Sequence, residues 1–205
     1  MKTFAKVIST VFHPLFVPVY LLAITLWMPV YAFQRYNSTL KFYILGYVFL
    51  INVVIPISSL LLMKRYKIIS SLQIEKAEER TIPYWLMFFL YSITAYSMGN
   101  IPGIHPIIPL AFILSAMIVV VVVFINRFLK ISAHSTSMAA SATWFFLLFK
   151  AFDLNTVIYL ITGVILTGMV MSARLEAEAH SPREVYLGAA TGMILTLALG
   201  KIFIF

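Results

Sequence analysis

Long apolar runs, separated by short polar segments, organise this chain. A membrane-spanning helix needs about 20 mainly apolar residues, and most of the runs have about that length. The run at 81–126 is much longer, carries no formal charge and contains the turn-forming sequence 100–106, which predicts a helical hairpin. The predicted spans are residues 11–33, 42–63, the two halves of 81–126, 131–149, 154–173 and 184–205.

This pattern predicts an all-α fold, a polytopic transmembrane helical bundle of six or seven spans, with six if the third is short and re-entrant. The composition agrees, because 62% of the residues are hydrophobic and 11% are charged, whereas soluble domains average about 25% charged residues. We therefore expect residues 1–205 to form a single integral-membrane domain, with two N-terminal spans in 11–63 and a core in 64–205. The first run is interpreted as a retained span and not as a signal peptide.

The chain has a formal net charge of +8, four histidines and no cysteine. Its Lys and Arg residues stand in small groups between the apolar runs, as the positive-inside rule and anionic lipid headgroups would produce. No basic stripe alternates with exposed aromatics, so nucleic acid is not an expected partner. His13 and His105 have no acidic neighbours in the sequence and are interpreted as residues of the membrane interface.

Three polar segments are predicted to share one face of the membrane, because two spans separate each segment from the next. They hold most of the acids and two of the four histidines. Polar groups at a membrane boundary indicate function more often than structure. The segments are residues 66–81, 130–134 and 174–184.

The third polar segment contains a histidine and a carboxylate at a helical spacing. His180, Glu184, Gly188 and Gly192 recur every four residues, which on a helix places them on one stripe. The Glu184 carboxylate can then fix the tautomer of His180 and leave the other ring nitrogen as a nucleophile or base. The two glycines would allow a neighbouring helix to approach closely.

The same residues fit a second interpretation. Ser181-Pro-Arg-Glu184 has the pattern of a capping box, with Ser181 as the N-cap, Pro182 at the first helical position and Glu184 at the third. In that case the helix begins after His180 and Glu184 caps the backbone. Both interpretations stay open at this point.

The second and first polar segments supply further polar groups. Ser132 and His134 stand at the predicted start of the span at 131–149, where exposed N–H groups form an anion site. Alternatively, Ser132 or Ser135 is an ordinary N-cap and His134 a polar residue at headgroup level. Lys76 and Arg80 lie in the first segment, which by itself is typical of a solvated connector.

Taken together, these segments supply what phosphoryl transfer requires: cations and N–H groups for the phosphoryl oxygens, histidines and a carboxylate. Their motifs resemble, in order, those of the type 2 phosphatidic acid phosphatase and haloperoxidase superfamily, and the chain is identified as a diverged integral-membrane member over residues 76–192. The family usually has glycine at the position of Ala133 and aspartate at that of Glu184. The motifs are Lys76 with Arg80, then Ser132-Ala133-His134, then Arg174-x5-His180-x3-Glu184.

The resemblance implies a phosphoric ester hydrolase that uses neither metal nor cofactor. His180 would attack phosphorus to form a phosphohistidine, Glu184 would orient His180, and His134 would protonate the leaving oxygen. Because one histidine must be neutral while the other is protonated, we expect a bell-shaped pH dependence of activity. The implied phosphate-binding residues are Lys76, Arg80, Ser132 and Arg174.

The implied substrate is a membrane lipid that carries a phosphomonoester or diphosphate, such as a phosphatidate, a phosphatidylglycerol phosphate, a polyprenyl diphosphate or a lipid A phosphate. The expected location is the bacterial inner membrane, and the excess of Lys and Arg on the motif side favours a cytoplasmic site. The alternative function is a catalytically silent protein that binds phospholipid headgroups, or a small lipid transporter or assembly subunit. The oligomeric state is left open.

Overall fold

The computed structural model describes residues 2–72, 74, 76, 78–153 and 157–204, and within these ranges it consists of helices and connecting segments, without strands. Residues group into two compact units, which are described separately: unit 1, Met1–Val17 with Ile131–Phe205, and unit 2, Pro18–Lys130. The helices are α1 Lys2–Val11, α2 Val17–Trp27, α3 Tyr31–Gln34, α4 Ser38–Phe49, α5 Ile55–Arg65, α6 Thr81–Gly99, α7 Ile107–Ile125, α8 Ala133–Phe152, α9 Val157–Glu176 and α10 Pro182–Phe203.

Four helical stretches in the described residues are long and apolar enough to cross a membrane: Ser38–Arg65, α7, α9 and α10. The chain is therefore all-helical and has the features of a membrane protein, while the count of six or seven spans stays a prediction. The helices α6 and α8 contain 19 and 20 residues, so they have sufficient length, but Ser, Thr and Tyr lower their hydropathy. In α8 the polar groups Ser135, Thr136 and Thr143 are buried inside the protein.

The prediction for residues 11–33 requires one continuous helix, but the first apolar run does not form one. The amphipathic α1 ends at Val11, α2 has only 11 residues, and α3 follows as a single turn. A proline inside a helix removes a backbone donor and clashes with the preceding turn. Pro14 lies in the break between α1 and α2, and Pro29 in the break between α2 and α3.

Unit 2 contains the predicted hairpin and a bulged helix. The helices α6 and α7 pack against each other and are joined by residues 100–106, as the turn sequence predicts. Between α4 and α5, residues Leu50–Val54 form a π-helical segment, so the helix continues as Ser38–Arg65. Within the bulge the buried Asn52 amide donates to the Thr94 hydroxyl at 2.9 Å, which ties the bulge to α6.

Unit 1 is arranged around α8, which packs against both α9 and α10. Side chains at Gly188 and Gly192 would meet the α8 backbone: a Cβ at Gly188 would lie 2.7 Å from the Ser132 carbonyl oxygen, and one at Gly192 would overlap the Thr136 carbonyl oxygen. The glycine stripe predicted for α10 is thus a close helix contact. On the other side, α1 packs on α9.

Candidate active site

The His180 imidazole and the Glu184 carboxylate are joined in unit 1. His180 Nδ1 lies 2.6 Å from Glu184 Oε2, and the two side chains are 4% and 20% exposed. A carboxylate accepts a proton from Nδ1–H, which leaves Nε2 as the nitrogen with a lone pair in the neutral ring. The spacing of four residues therefore does produce the predicted histidine–carboxylate pair.

The part of the capping interpretation that concerns Ser181 and Pro182 is also correct. The helix α10 begins at Pro182, and the Ser181 side chain accepts from the Glu184 N–H at 3.4 Å. His180 stands just before the cap, outside the helix, so it does not share the helical stripe of Glu184, Gly188 and Gly192. The Glu184 carboxylate bonds to His180. Glu184 thus donates its backbone N–H to the N-cap and binds the imidazole with its side chain.

The start of α8 has a similar cap. Ser132 is fully buried, adopts an extended backbone conformation and accepts from the Ser135 N–H at 3.4 Å. The Ser135 hydroxyl donates to the Ser132 hydroxyl at 3.1 Å. Of the alternatives for this segment, Ser132 is the N-cap, and its hydroxyl is the acceptor for two local donors.

A backbone hydrogen bond joins the two helix starts. The Ser132 N–H donates to the Glu184 carbonyl at 3.0 Å. Directly beside this bond, Gly188 lets the α10 backbone approach Ser132. The close approach at Gly188 therefore holds the His180–Glu184 pair next to the N-terminus of α8, whose N–H groups and dipole favour an anion.

His134 is fixed by a backbone group from the N-terminal helix. His134 Nε2 lies 3.0 Å from the Ser9 carbonyl oxygen. A carbonyl only accepts, so Nε2 carries a hydrogen and, in the neutral ring, Nδ1 has the lone pair. His134 stands at the second position of α8 and close enough to His180 for an electrostatic interaction.

His13 belongs to this group, although it was interpreted as an interfacial residue. Its ring meets that of His134 edge-on, with centroids 5.1 Å apart and an interplanar angle of 88°. The Leu15 N–H donates to His13 Nδ1 at 3.3 Å. Burial, together with the charge of Arg174, lowers the pKa of His13 to about 4, so this ring is neutral at pH 7 and carries its hydrogen on Nε2.

The sequence contains only a weak indication that Ser9 and His13 contribute to this site. Lys6-Val-Ile-Ser9 followed by His13-Pro14 ends an amphipathic helix with a histidine before a proline, a pattern that also occurs at membrane interfaces. The distance along the chain between His13 and His134 concealed their contact. The buried face of α1, Ala5 and Ile8, packs against a cluster that includes Val170 and Ala173 of α9, and this packing brings Ser9 and His13 to the site.

Arg174 lies near the end of α9 and supplies positive charge. Its guanidinium is close enough to act electrostatically on both His13 and His134. Unit 1 therefore brings together five of the sequence-predicted residues and adds His13. We call this group the histidine site: His13, Ser132, His134, Arg174, His180 and Glu184.

The two remaining predicted residues, Lys76 and Arg80, belong to unit 2. Lys76 is exposed and its Nζ lies 3.6 Å from Glu79 Oε1. Hydrogen bonds from Ser70 to the Glu79 carboxylate, at 2.7 and 2.8 Å, hold the pKa of Glu79 below its ordinary value. Arg80 is buried and its Nε donates to the Ile74 carbonyl at 2.9 Å. Their predicted roles as phosphate ligands stay predictions.

The side chains of the histidine site are suited to binding an anion and to proton transfer. Among the residues that the structure describes, no cluster of three or more His, Cys, Asp or Glu side chains is placed to hold a metal ion. The site combines an imidazole held by a carboxylate, a second imidazole with a fixed tautomer, a guanidinium and a helix N-terminus. These groups can bind a phosphate and exchange a proton with it.

The fold and site together define an all-helical chain with apolar helices of membrane-spanning length and a partly buried histidine–carboxylate pair. Comparison of the chain with protein-family models, curated proteins and solved structures finds no match.

Proposed function

We propose that the protein is a metal-independent lipid phosphate phosphatase that acts through a phosphohistidine intermediate. The observation that carries the proposal is the contact between His180 Nδ1 and Glu184 Oε2 at 2.6 Å, made by a side chain that is 4% exposed. A carboxylate that holds one ring nitrogen directs the other for attack and stabilises the positive charge that forms on the ring. The resemblance of the motifs to the phosphatase superfamily supports the same conclusion.

In the first step, the Nε2 lone pair of His180 forms a bond to phosphorus while the bond from phosphorus to the lipid oxygen breaks. The leaving oxygen takes a proton from His134, which must be imidazolium in this step. Burial and the charge of Arg174 lower the pKa of His134, so the negative charge of the bound phosphate is what stabilises the imidazolium. Its Ser9 hydrogen bond is strengthened in the charged state, and the proton that it gives up is the one on Nδ1. Arg174 and the N-terminus of α8 stabilise the charge on the transferring oxygens.

In the second step, water attacks phosphorus as His134 removes one of its protons. The bond between phosphorus and Nε2 breaks, inorganic phosphate leaves, and His180 and His134 return to their starting states. No atom beyond the lipid phosphate and water is required. The reaction class is hydrolysis of a phosphomonoester or diphosphate.

The substrate we propose is a lipid, because the helices that carry the histidine site are themselves apolar. The helices α9 and α10 are candidate membrane spans, and His180 and Glu184 stand at the N-terminal end of α10. A phosphate at headgroup depth is the group that such a position can meet. Cytoplasmic orientation and location in a bacterial inner membrane are both part of the proposal. The distribution of Lys and Arg supports the orientation alone.

The test is phosphate release by the detergent-purified protein from lipid monophosphates and diphosphates, with EDTA present. We expect release that EDTA does not reduce, a bell-shaped pH profile, and acid-labile phosphate on the protein after rapid quenching. His180→Ala removes both release and labelling. The matched control is Ser181→Ala, which changes the next residue but leaves the imidazole in place.

A second candidate is a protein that binds phosphorylated headgroups without turnover. The observation that favours it is the bond from His134 Nε2 to a backbone carbonyl, which gives this histidine a structural partner. A binder retains lipid phosphate in the wild-type protein, releases none and forms no phosphohistidine. Labelling of His180 would exclude it.

A further inference from the structure

A cavity of about 400 Å³ lies within unit 2, between the segment before α6 and the residues that follow α7. It is lined by three cations, Arg80, Arg127 and Lys130, and by one acid, Glu78. Such an excess of positive charge in a recess is selective for anions, because the walls of a cavity concentrate the field of the cations. Arg127 and Lys130 have no part in the proposed phosphatase chemistry.

Uncharged polar side chains also line the cavity and can hydrogen-bond to the oxygen atoms of a ligand. The Asn126 amide is held by donation to the Val122 carbonyl at 3.0 Å. Tyr84 also lines the recess, and its hydroxyl interacts with both Arg80 and Asn126. Since Arg80 Nε is bonded to the Ile74 carbonyl, this guanidinium has a fixed position, and a fixed guanidinium suits the planar recognition of phosphate.

The position of the cavity along α7 indicates its depth in a membrane. Ile107–Ile125 is a candidate span of 19 residues, which is about 28 Å of helix, close to the thickness of the hydrocarbon core. Asn126 to Lys130 follow at once and therefore lie at headgroup level. Phe128 in this segment is 90% exposed, and Arg127 stacks over the Phe124 ring at 5.6 Å, as expected at an interface between lipid and water.

We infer that this cavity binds the phosphate of an anionic lipid headgroup. Arg127 and Lys130 hold the phosphate oxygens beside Arg80, and Phe128 contacts the acyl region next to the headgroup. The volume exceeds that of a phosphate alone, so the glycerol or sugar part of the headgroup enters with it. This inference stands independently of the proposed hydrolysis, because it concerns binding in unit 2 and none of its residues is a proposed nucleophile or acid.

The experiment uses the full chain with the His180→Ala substitution, so that no turnover can remove the lipid. The protein is reconstituted in nanodiscs of phosphatidylcholine that contain phosphatidate, and the lipid retained after detergent extraction is measured by native mass spectrometry. We expect retained phosphatidate, and a decrease of about tenfold in the Arg127→Gln/Lys130→Gln double variant, since two partly solvent-exposed charged contacts to the phosphate become neutral amide contacts. Lys64→Gln/Lys67→Gln removes equal charge from unit 2 outside the cavity and changes retention less than about twofold.

Arg127→Lys/Lys130→Arg keeps both charges and retains the lipid, which shows that a loss in the glutamine variant comes from charge and not from misfolding. Equal retention by the cavity variant and its parent would overturn the inference. Equal loss in the Lys64/Lys67 control would do so too, because the effect would then be one of general surface charge. A third arm adds inorganic phosphate: displacement of the lipid at low millimolar phosphate would identify a site for free phosphate, whereas a lipid site keeps its ligand.

Discussion

The helices α8 and α10 begin in the same way and hold their histidines differently. Ser132 and Ser181 are both N-caps, and each accepts from the N–H three residues later at 3.4 Å. In α10 the histidine precedes the cap and is bonded by the carboxylate of its own helix. In α8 the histidine follows the cap and is bonded by a backbone carbonyl from α1.

The difference bears on what each ring can do. A carboxylate partner carries a full charge, so in the proposed mechanism it would stabilise the positive charge that covalent bond formation places on His180. The Ser9 carbonyl carries only a dipole, so it fixes the tautomer of His134 while allowing the ring to gain and lose a proton on Nδ1. The α10 start therefore suits a nucleophile and the α8 start a proton carrier.

The largest expected effect separates these two roles directly. His180→Ala is expected to reduce hydrolysis of a lipid phosphate by about 10⁴-fold or more, and His134→Ala by about 10²- to 10⁴-fold. A substrate with an acidic leaving group, such as p-nitrophenyl phosphate, needs no proton donor, so it should restore turnover in His134→Ala only. Single-turnover rates with both substrates measure this, and rescue of both variants or of neither would contradict the assignment.

The next effect tests the close backbone contact between α8 and α10. Gly192→Ala places a methyl group against the Thr136 carbonyl, where backbone must move, so we expect a loss of about 2 to 3 kcal/mol in the free energy of unfolding. Gly168→Ala is the matched control, because a Cβ there has nothing within 4 Å. Thermal unfolding in detergent compares the two, and equal midpoints would show that α8 and α10 are not in backbone contact.

An effect of similar size concerns the ring that supports His134. The pKa of His13 is about 4 in the folded state and about 6.5 when unfolded, so stability is present above pH 6.5 and is lost as the pH falls toward 4. The loss attributable to this ring is about 3 kcal/mol at pH 4. His13→Gln should lose that much less between pH 7 and pH 4 than the wild-type protein. Identical pH dependence of the two midpoints would show that His13 is not buried beside His134.

The smallest expected effect is a difference in unfolding free energy between variants of the two N-caps, Ser181 and Ser132. Ser181 is exposed, and Ser181→Ala should cost about 1 kcal/mol, the usual value for a lost N-cap. Ser132 is fully buried, and its hydroxyl accepts from two donors. Ser132→Ala removes that acceptor from buried donors, so it should cost about 1 kcal/mol more than Ser181→Ala. Chemical denaturation of both variants checks the order, and a costlier Ser181→Ala would reverse it.

The sequence predicted what depends on local spacing. The contact of His180 with Glu184, the caps at Ser132 and Ser181 and the close approach at Gly188 and Gly192 all follow from residues a few positions apart. Even there the sequence presented the pair and the capping box as rivals. The structure contains both the pair and the N-cap because Glu184 uses its carboxylate for the pair and its backbone N–H for the cap.

The sequence did not predict what depends on distant packing. Nothing next to His13 in the chain indicates a partner, because its neighbour His134 is reached only when α1 packs on α9. The segment 11–33 is not the single continuous helix that its hydropathy predicts, for a related reason: Pro14 and Pro29 lie in its helix breaks. Apolar content reports the environment of a segment and not the continuity of its backbone hydrogen bonds.

The pairing of α1 with the C-terminal helices has a consequence for the order in which the protein folds. During synthesis α1 is made first, but its partners in unit 1 begin only at Ile131, after the whole of unit 2. The amphipathic helix therefore has to wait for its packing partner until α9 is complete. Ribosome-bound chains that stop before α9 should expose Ser9 and His13 to proteases or labelling reagents, and release of the full chain should protect them.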